Sequence, residues 1–154
     1  EEADQAMLAN MMVGRAVQLE VDRNPPQVGE TVLEVKDLTV LDERHQIAVD
    51  GVSFDVCAGE VLGIAGVQGN GQTELVEALT GMRQSQSGNV RLMGNEISRA
   101  RPRQITELGA AHVPEDRQRD GLVLSFPVAD NLILNTYYQR PFTKVVVLDD
   151  APIQ

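Results

Sequence analysis

A short glycine-rich stretch, residues 66–73, constrains the possible fold of this chain more than any other feature. It reads Gly-Val-Gln-Gly-Asn-Gly-Gln-Thr. An apolar run, Val61–Ala65, leads into it, and apolar residues at helical spacing follow from Glu74 to Met82. A strand, a glycine-rich loop and a helix in this order are typical of phosphate-binding loops. Because the run is apolar throughout, we predict that it forms a strand buried on both faces.

The loop matches the phosphate-binding pattern at Gly66, Gly71 and Thr73 and departs from it at Gln72, where the pattern has lysine. Gln72 can donate a hydrogen bond to a phosphate oxygen but brings no charge. A charge-assisted hydrogen bond contributes about 1.5–3 kcal/mol, against about 0.5–1.5 kcal/mol for a neutral one. We therefore predict nucleotide binding that is weakened about tenfold. The alternative is a glycine-rich turn that binds no ligand.

The candidate nucleotide-binding residues belong to the loop and the start of the helix. Glycines let successive backbone N–H groups converge on an anion, and the helix N-terminus adds a partial positive charge. The Thr73 hydroxyl is suited to reach a Mg²⁺ ion. The full candidate set is Gly66, Gln68, Gly69, Asn70, Gly71, Gln72, Thr73 and Glu74.

Several other segments have clear periodicity. Leu33–Lys36 and Val52–Val56 alternate with period two around a polar turn, Asp42–Gln46, and predict an antiparallel pair of strands. The remaining predicted elements are a strand over Asn89–Met93, a helix over Pro102–Leu108, a buried strand over Ala110–Val113 that includes His112, a charged loop over Pro114–Gly121 and a helix over Val128–Tyr138.

Composition excludes several classes of function. The 154 residues, 42% of them hydrophobic, are enough for one modest domain with a core. The net charge of -10 argues against binding of nucleic acid and against adsorption to anionic lipid. Cys57 is the only cysteine, so no internal disulfide can form and a reducing compartment is expected. No apolar run has the length of a membrane span, and no signal peptide is expected at the start.

Taken together, these residues resemble one family. Val61–Leu75, Val113–Arg117 with Gly121–Leu122, and Asp130–Leu132 look like parts of the ATP-binding subunits of bacterial ABC importers for simple sugars and nucleosides. Such subunits carry two nucleotide-binding domains, and the resemblance is to the second. The phosphate loop of that domain commonly has Gln or Arg in place of Lys, and its Q-loop region commonly reads Pro-Glu-Asp-Arg. Residues 3–17 resemble the tail of the first domain, and the loop sequence leans toward the nucleoside branch.

The resemblance implies an α/β fold: a truncated P-loop NTPase (ABC ATPase) core with an antiparallel β layer and the start of a helical subdomain. It implies three parts, with residues 1–22 as the tail of a preceding nucleotide-binding domain, residues 23–31 as a linker, and residues 32–154 as the N-terminal part of an ABC nucleotide-binding domain. The charge and proline content of Arg23–Gly29 favours this boundary, with an ordinary surface loop as the alternative. Because the chain opens without a methionine, we expect it to be a piece of a longer protein.

The resemblance also implies roles outside the loop. Glu115 occupies the place of the Q-loop glutamine, which approaches Mg²⁺ and couples to the transmembrane subunits, so Thr73 and Glu115 are the candidate metal ligands. A solvated, salt-bridged turn over Glu115–Arg117 is the alternative. The aromatic residue that stacks on adenine in the family is missing near residues 40–44, where Asp42 stands. Base stacking contributes roughly 1–3 kcal/mol, so a second contribution to affinity is lost.

As function, the resemblance implies an importer component that uses ATP and Mg²⁺ and lies on the cytoplasmic face of the membrane. Its partners would be the permease subunits, the other nucleotide-binding domain and, indirectly, a substrate-binding protein, with no nucleic acid. The complete protein would be an ATPase, but this chain alone would be inactive because the resemblance puts the metal-binding acid and the general base beyond Gln154. The alternative is a non-catalytic dimerisation and transmission domain. A P-loop kinase or GTPase is a weaker third interpretation.

Two expectations concern the end of the chain. The stretch Val145–Asp150 looks like a Walker B strand, an apolar run ending in acids. Because no signature motif precedes it, we interpret Lys144–Gln154 instead as a turn and a helix start in the helical subdomain. The missing later strands would leave a sheet edge exposed, which favours self-association of the chain.

Overall fold

The structure is a computed structural model that describes residues 7, 11–12, 14, 27–144 and 147–148. Most of the predicted tail over residues 1–22 and the first four residues of the predicted linker over residues 23–31 lie outside the described residues. The division into three parts therefore stays a prediction.

An antiparallel sheet of four strands, in the order β2-β1-β3-β4, is the centre of the fold. The strands are β1 (Thr31–Leu41), β2 (Ile47–Cys57), β3 (Ser87–Leu92) and β4 (Asn95–Glu96). The pairing of β1 with β2 runs from Thr31 opposite Cys57 to Leu41 opposite Ile47. The predicted antiparallel pair is thus confirmed, and both strands extend several residues beyond their predicted ends.

A bulge interrupts β1 between Val35 and Leu38. Asp37 there has a positive φ of 48°, and its N–H donates to the Ser53 hydroxyl at 2.8 Å. A bulge places an extra residue in one strand and shifts the alternation of faces. It lets Val35 and Leu38, three residues apart, both point into the core.

The core lies between one face of the sheet and helix α1 (Gln72–Leu79). Helix α1 contributes Leu75 and Ala78 to this core. The helical spacing after the loop therefore correctly predicted a helix that begins at the loop. The predicted end at Met82 is three residues late, because Thr80 caps the helix. The core side chains are Val35, Leu38, Val40, Val49, Leu75, Ala78, Val90, Ile97 and Ile105.

Short elements make up the rest of the described chain. They are helices α2 (Pro102–Glu107), α3 (Arg117–Asp120) and α4 (Val128–Leu132), followed by the paired strands β5 (Thr143–Lys144) and β6 (Val147–Leu148). The predicted helix over Val128–Tyr138 is wrong beyond Leu132. There the backbone continues in turns, for example from Thr136 N–H to Ile133 C=O, since Ile, Asn, Thr and Tyr at 133–138 have low helix propensity.

Two predicted buried strands are absent. Residues 61–66 and 110–114 form no strand, and Val61 is 95% exposed and Val113 80% exposed. His112, expected in a strand or the core, is exposed. A strand requires a neighbour that pairs with its backbone N–H and C=O groups, and no strand lies beside either segment in the described part of the chain.

The end of the chain also departs from prediction. In place of the predicted turn and helix start, β5 and β6 pair with each other as a separate two-stranded sheet. Because β6 is antiparallel to β5 and outside the main sheet, it does not have the position of a Walker B strand within the described fold. Asp149 and Asp150 lie outside the described residues. Among the residues that are described, no helix has both the length and the apolar character of a membrane span.

Candidate functional site

The glycine-rich loop turns sharply between the extended residues 61–66 and helix α1. Gly69 and Gly71 have φ angles of 88° and 91°, in the left-handed region that residues with a Cβ rarely adopt. The Asn70 N–H donates to the Val67 C=O at 3.2 Å and closes the turn. The two glycines therefore give the loop its curl.

Gly71 meets a second requirement, since it lies against the backbone of β2. A Cβ at this position would collide with the Ala48 carbonyl oxygen. A Cβ at Gly69 would meet nothing within 4 Å. Gly71 thus holds the loop and the start of α1 close to the sheet, while Gly69 faces open space.

The first turn of α1 presents free backbone donors. The first N–H with a partner in the helix is that of Leu75, which donates to the Gly71 carbonyl at 2.9 Å. Within the described residues, the N–H groups of Gln72, Thr73 and Glu74 have no acceptor. These groups and the partial positive charge of the helix N-terminus suit an anion such as phosphate.

The Gln72 side chain folds back into the loop. With its amide oriented to satisfy both groups, the oxygen accepts from the Gly66 N–H at 3.3 Å and the nitrogen donates to the Val67 C=O at 3.2 Å. A Cβ at Gly66 would overlap this amide. Gly66 therefore leaves the space that the Gln72 side chain fills.

An open groove of about 360 Å³ separates the loop from the turn between β1 and β2. It brings together three of the predicted site residues, Gly69, Asn70 and Glu74, while Gln68 and Thr73 are exposed beside it. Glu115 is exposed in the segment before α3 and does not line this groove. The lining residues are Asp42, Gln46, Ile47, Ala48, Gly69, Asn70 and Glu74.

Asp42, at the expected place of the adenine-stacking aromatic, has a structural role. Its Oδ1 accepts from the N–H groups of Arg44 and Gln46, each at 2.8 Å. Its own N–H donates to the Gln46 carbonyl at 2.8 Å. Aspartate stabilises such turns by bonding to the backbone two residues on. The groove thus has a turn-forming carboxylate where a flat ring would be needed for stacking.

The electrostatics of the groove are unfavourable for phosphate. Its lining includes the carboxylates Asp42 and Glu74 and no cation. Arg83 lies near the end of α1, but its Nε donates to Glu77 at 2.7 Å and its Nη1 donates to the Leu41 carbonyl at 3.0 Å. The hydrogen bond to Glu77 raises the pKa of Arg83 above its usual value. This cation therefore fastens α1 to β1 and is already paired.

The metal assignments remain predictions. In the described part of the chain, no cluster of three or more His, Cys, Asp or Glu side chains could hold a metal ion. Mg²⁺ bound with a nucleotide needs few protein ligands, because phosphate and water oxygens complete its shell. The exposed Thr73 hydroxyl, next to the free N–H groups, fits that requirement.

Two structural residues were not predicted. The Asn131 side chain accepts from the Val123 N–H at 2.8 Å and donates to the carbonyls of Val123, Phe126 and Pro127 at 3.0–3.2 Å. It fixes the loop before α4.

Asp116 caps α3 by accepting from Gln118 and Arg119 N–H groups at 3.0 and 3.1 Å. An aspartate before a short helical pattern is the signal that predicts such a cap.

Comparison with known proteins identifies the family of the chain. The family model for ABC transporters matches residues 49–147, more than half of the chain. The chain belongs to the ABC transporter family. The confirmed features are an α/β core that carries a phosphate-type loop beside an antiparallel β layer.

Curated relatives are similar over nearly the whole chain. The nucleoside import ATP-binding protein NupA of Lactococcus lactis subsp. cremoris is 49% identical over 92% of the chain and 28% of its own length. The guanosine import ATP-binding protein NupO of Bacillus subtilis is 45% identical over 96% of the chain and 29% of its length. The ribose import ATP-binding protein RbsA of Corynebacterium glutamicum is 37% identical over 88% of the chain and 25% of its length. The chain thus spans less than a third of the length of these relatives.

Proposed function

We propose that this chain is part of the ATP-binding component of an ABC importer for a nucleoside or a simple sugar. ATP binding and hydrolysis by the complete protein would be coupled to transport. The observation that carries the proposal is the loop itself, where two glycines with positive φ lead into a helix whose first N–H groups are free. The functions of the relatives, import of nucleosides, guanosine and ribose, support this class of transported substrate.

In this proposal the nucleotide phosphates bind at residues 66–74. The free N–H groups of Gln72, Thr73 and Glu74 donate to phosphate oxygens. The Thr73 hydroxyl takes part in holding Mg²⁺, and Glu115 approaches the metal from the Q-loop position. Mg²⁺, when bound, neutralises phosphate charge that the carboxylates Asp42 and Glu74 would otherwise repel.

The proposed partners are those of importers of this kind. They are the transmembrane permease subunits and a second nucleotide-binding domain, with a substrate-binding protein acting indirectly. The protein would lie on the cytoplasmic face of the membrane. The apolar side chains exposed along residues 61–64 offer a surface for association with further protein, including a second copy of the chain.

The loop of this domain would bind nucleotide weakly. A neutral side chain stands where a lysine would supply charge, a turn-forming aspartate stands where an aromatic ring would stack, and the groove lining carries carboxylates without a cation. These observations also favour a second candidate, a non-catalytic dimerisation and transmission domain. The two candidates differ in whether Mg-ATP contacts residues 66–75 at all.

A titration with Mg-ATP distinguishes the two candidates. Hydrogen exchange of the amides at 66–75 is followed in the complete natural polypeptide, so that other nucleotide sites do not contribute to the signal. We expect protection with an affinity weaker than micromolar, and a rise of about tenfold for Gln72→Lys, since a charged donor replaces a neutral one. The matched control is Gln84→Lys, which adds the same charge at an exposed position outside the groove. Unchanged exchange in both wild type and Gln72→Lys would favour the non-catalytic candidate.

A further inference from the structure

The Gln72 amide makes the same kind of contact that a phosphate group would make. Its oxygen accepts from the Gly66 N–H, a donor of the loop, while its nitrogen satisfies the Val67 carbonyl. An amide oxygen is a neutral acceptor, so it can occupy a donor that otherwise bonds to a phosphate oxygen. The missing Cβ at Gly66 leaves the space for it.

We propose that Gln72 acts as an internal occupant of the phosphate loop, and that nucleotide phosphate displaces its amide from Gly66 and Val67. The proposal rests on the proposed function, because it concerns regulation of the same site. In this arrangement the Gln72 side chain competes with the ligand. Its effect is opposite to that of a weak donor that helps to hold phosphate.

The two roles predict opposite signs for removal of the side chain. If Gln72 were only a weak donor to phosphate, Gln72→Ala would lower affinity. If its amide occupies the loop, Gln72→Ala frees the Gly66 N–H and raises affinity. We expect a rise of about two- to fivefold, because hydrogen bonds of 3.2–3.3 Å lie at or just beyond the long end of the normal range and water replaces part of them.

The contact between the Gln72 amide and the Gly66 N–H can be detected without any nucleotide. In the complete natural polypeptide, the Gly66 amide should exchange several times faster in Gln72→Ala than in wild type, because its acceptor is gone. Gln84→Ala, which removes an exposed glutamine side chain outside the groove, is the matched control and should leave the exchange unchanged. Equal exchange of the Gly66 amide in wild type and Gln72→Ala would overturn the proposal.

A double-mutant cycle provides a second, independent test. Gly66→Ala should destabilise the wild-type protein, since the new methyl group overlaps the Gln72 amide. The same change should cost little in the Gln72→Ala background, where the space is empty. The two changes must therefore be non-additive in urea unfolding. Additive effects would show that the Gln72 amide does not occupy this space.

Titration of Mg-ATP, followed by protection of the amides at 69–75, completes the test. Higher affinity in Gln72→Ala supports the proposal. Protection that is present in wild type but weaker in Gln72→Ala overturns the proposal and leaves the proposed function intact. Absence of protection in wild type, Gln72→Ala and Gln72→Lys alike would overturn the proposed function, and the proposal with it.

Discussion

Val40 and Val61 are the same residue type in two apolar segments, yet Val40 is fully buried and Val61 is 95% exposed. Val40 belongs to β1, which has β2 on one side and β3 on the other. Val61 begins the run that leads into the glycine-rich loop, and no strand lies beside that run in the described structure. Apolar character thus predicts burial only where neighbouring backbone and side chains exist to pack against.

Matched valine substitutions test this comparison and should show the largest difference between two paired variants. Val40→Ala should lower the free energy of unfolding by about 2–3 kcal/mol, because it removes methyl groups from a packed core and leaves a cavity. Val61→Ala should change it by less than about 0.5 kcal/mol, as expected for an exposed side chain. Urea unfolding of the natural polypeptide measures both. Similar losses would mean that the run 61–65 is packed as tightly as β1.

Alanine substitutions at the two positive-φ glycines of the loop distinguish the cost of backbone strain from the cost of a collision with the sheet. Gly69→Ala should cost about 1–2 kcal/mol, since a residue with a Cβ is strained at φ 88°. Gly71→Ala should cost more, about 2–4 kcal/mol, because a similar strain is joined by collision with the Ala48 carbonyl. The measurement is the urea midpoint of each variant. Equal costs would contradict the close approach of the loop to β2.

The smallest expected effect concerns acid stability at the edge of the sheet. The hydrogen bond from the Ser98 hydroxyl, with a further contribution from Arg91, lowers the pKa of Glu96 below its usual 4.5. A pKa lowered by folding stabilises the protein above the unfolded pKa, and this stabilisation is lost as pH falls through the folded pKa.

Wild type should therefore be slightly more stable than Glu96→Gln at about pH 7, and the gap should close toward about pH 3. Thermal unfolding across this range measures the gap. Glu30→Gln is the control, at an exposed carboxylate that has no hydrogen bond in the described part of the chain. A gap that persists in acid would contradict the role of the ionised Glu96 carboxylate.

The sequence predicted the elements that bury one face in the core. Period-two alternation located β1 and β2, and helical spacing after the loop located α1, because each pattern reflects the face that its own element buries. The bulge at Asp37 was not predictable, since it depends on the Ser53 hydroxyl of the neighbouring strand. The prediction of a strand over Val61–Ala65 was wrong for the same reason. Whether a segment pairs as a strand depends on neighbouring strands, which the pattern of apolar residues does not reveal.

The sequence predicted which residues form the loop but not the conformation of the Gln72 side chain within it. The glycine spacing located the loop, and the free N–H groups at the start of α1 follow from the geometry of any helix terminus. The return of the Gln72 side chain onto Gly66 was not predictable, because it depends on the curl of the loop and on two backbone partners. The contacts of Asn131 with Val123, Phe126 and Pro127 likewise appear only in three dimensions.

The most direct test of the central claim is an experimental structure of the complete natural polypeptide with Mg²⁺ and a non-hydrolysable ATP analogue. We expect phosphate oxygens within hydrogen-bond distance of the N–H groups of Gln72, Thr73 and Glu74, with the Gln72 amide moved away from Gly66. A loop that holds no nucleotide at saturating analogue, with the Gln72 amide still bonded to Gly66 and Val67, would contradict this claim.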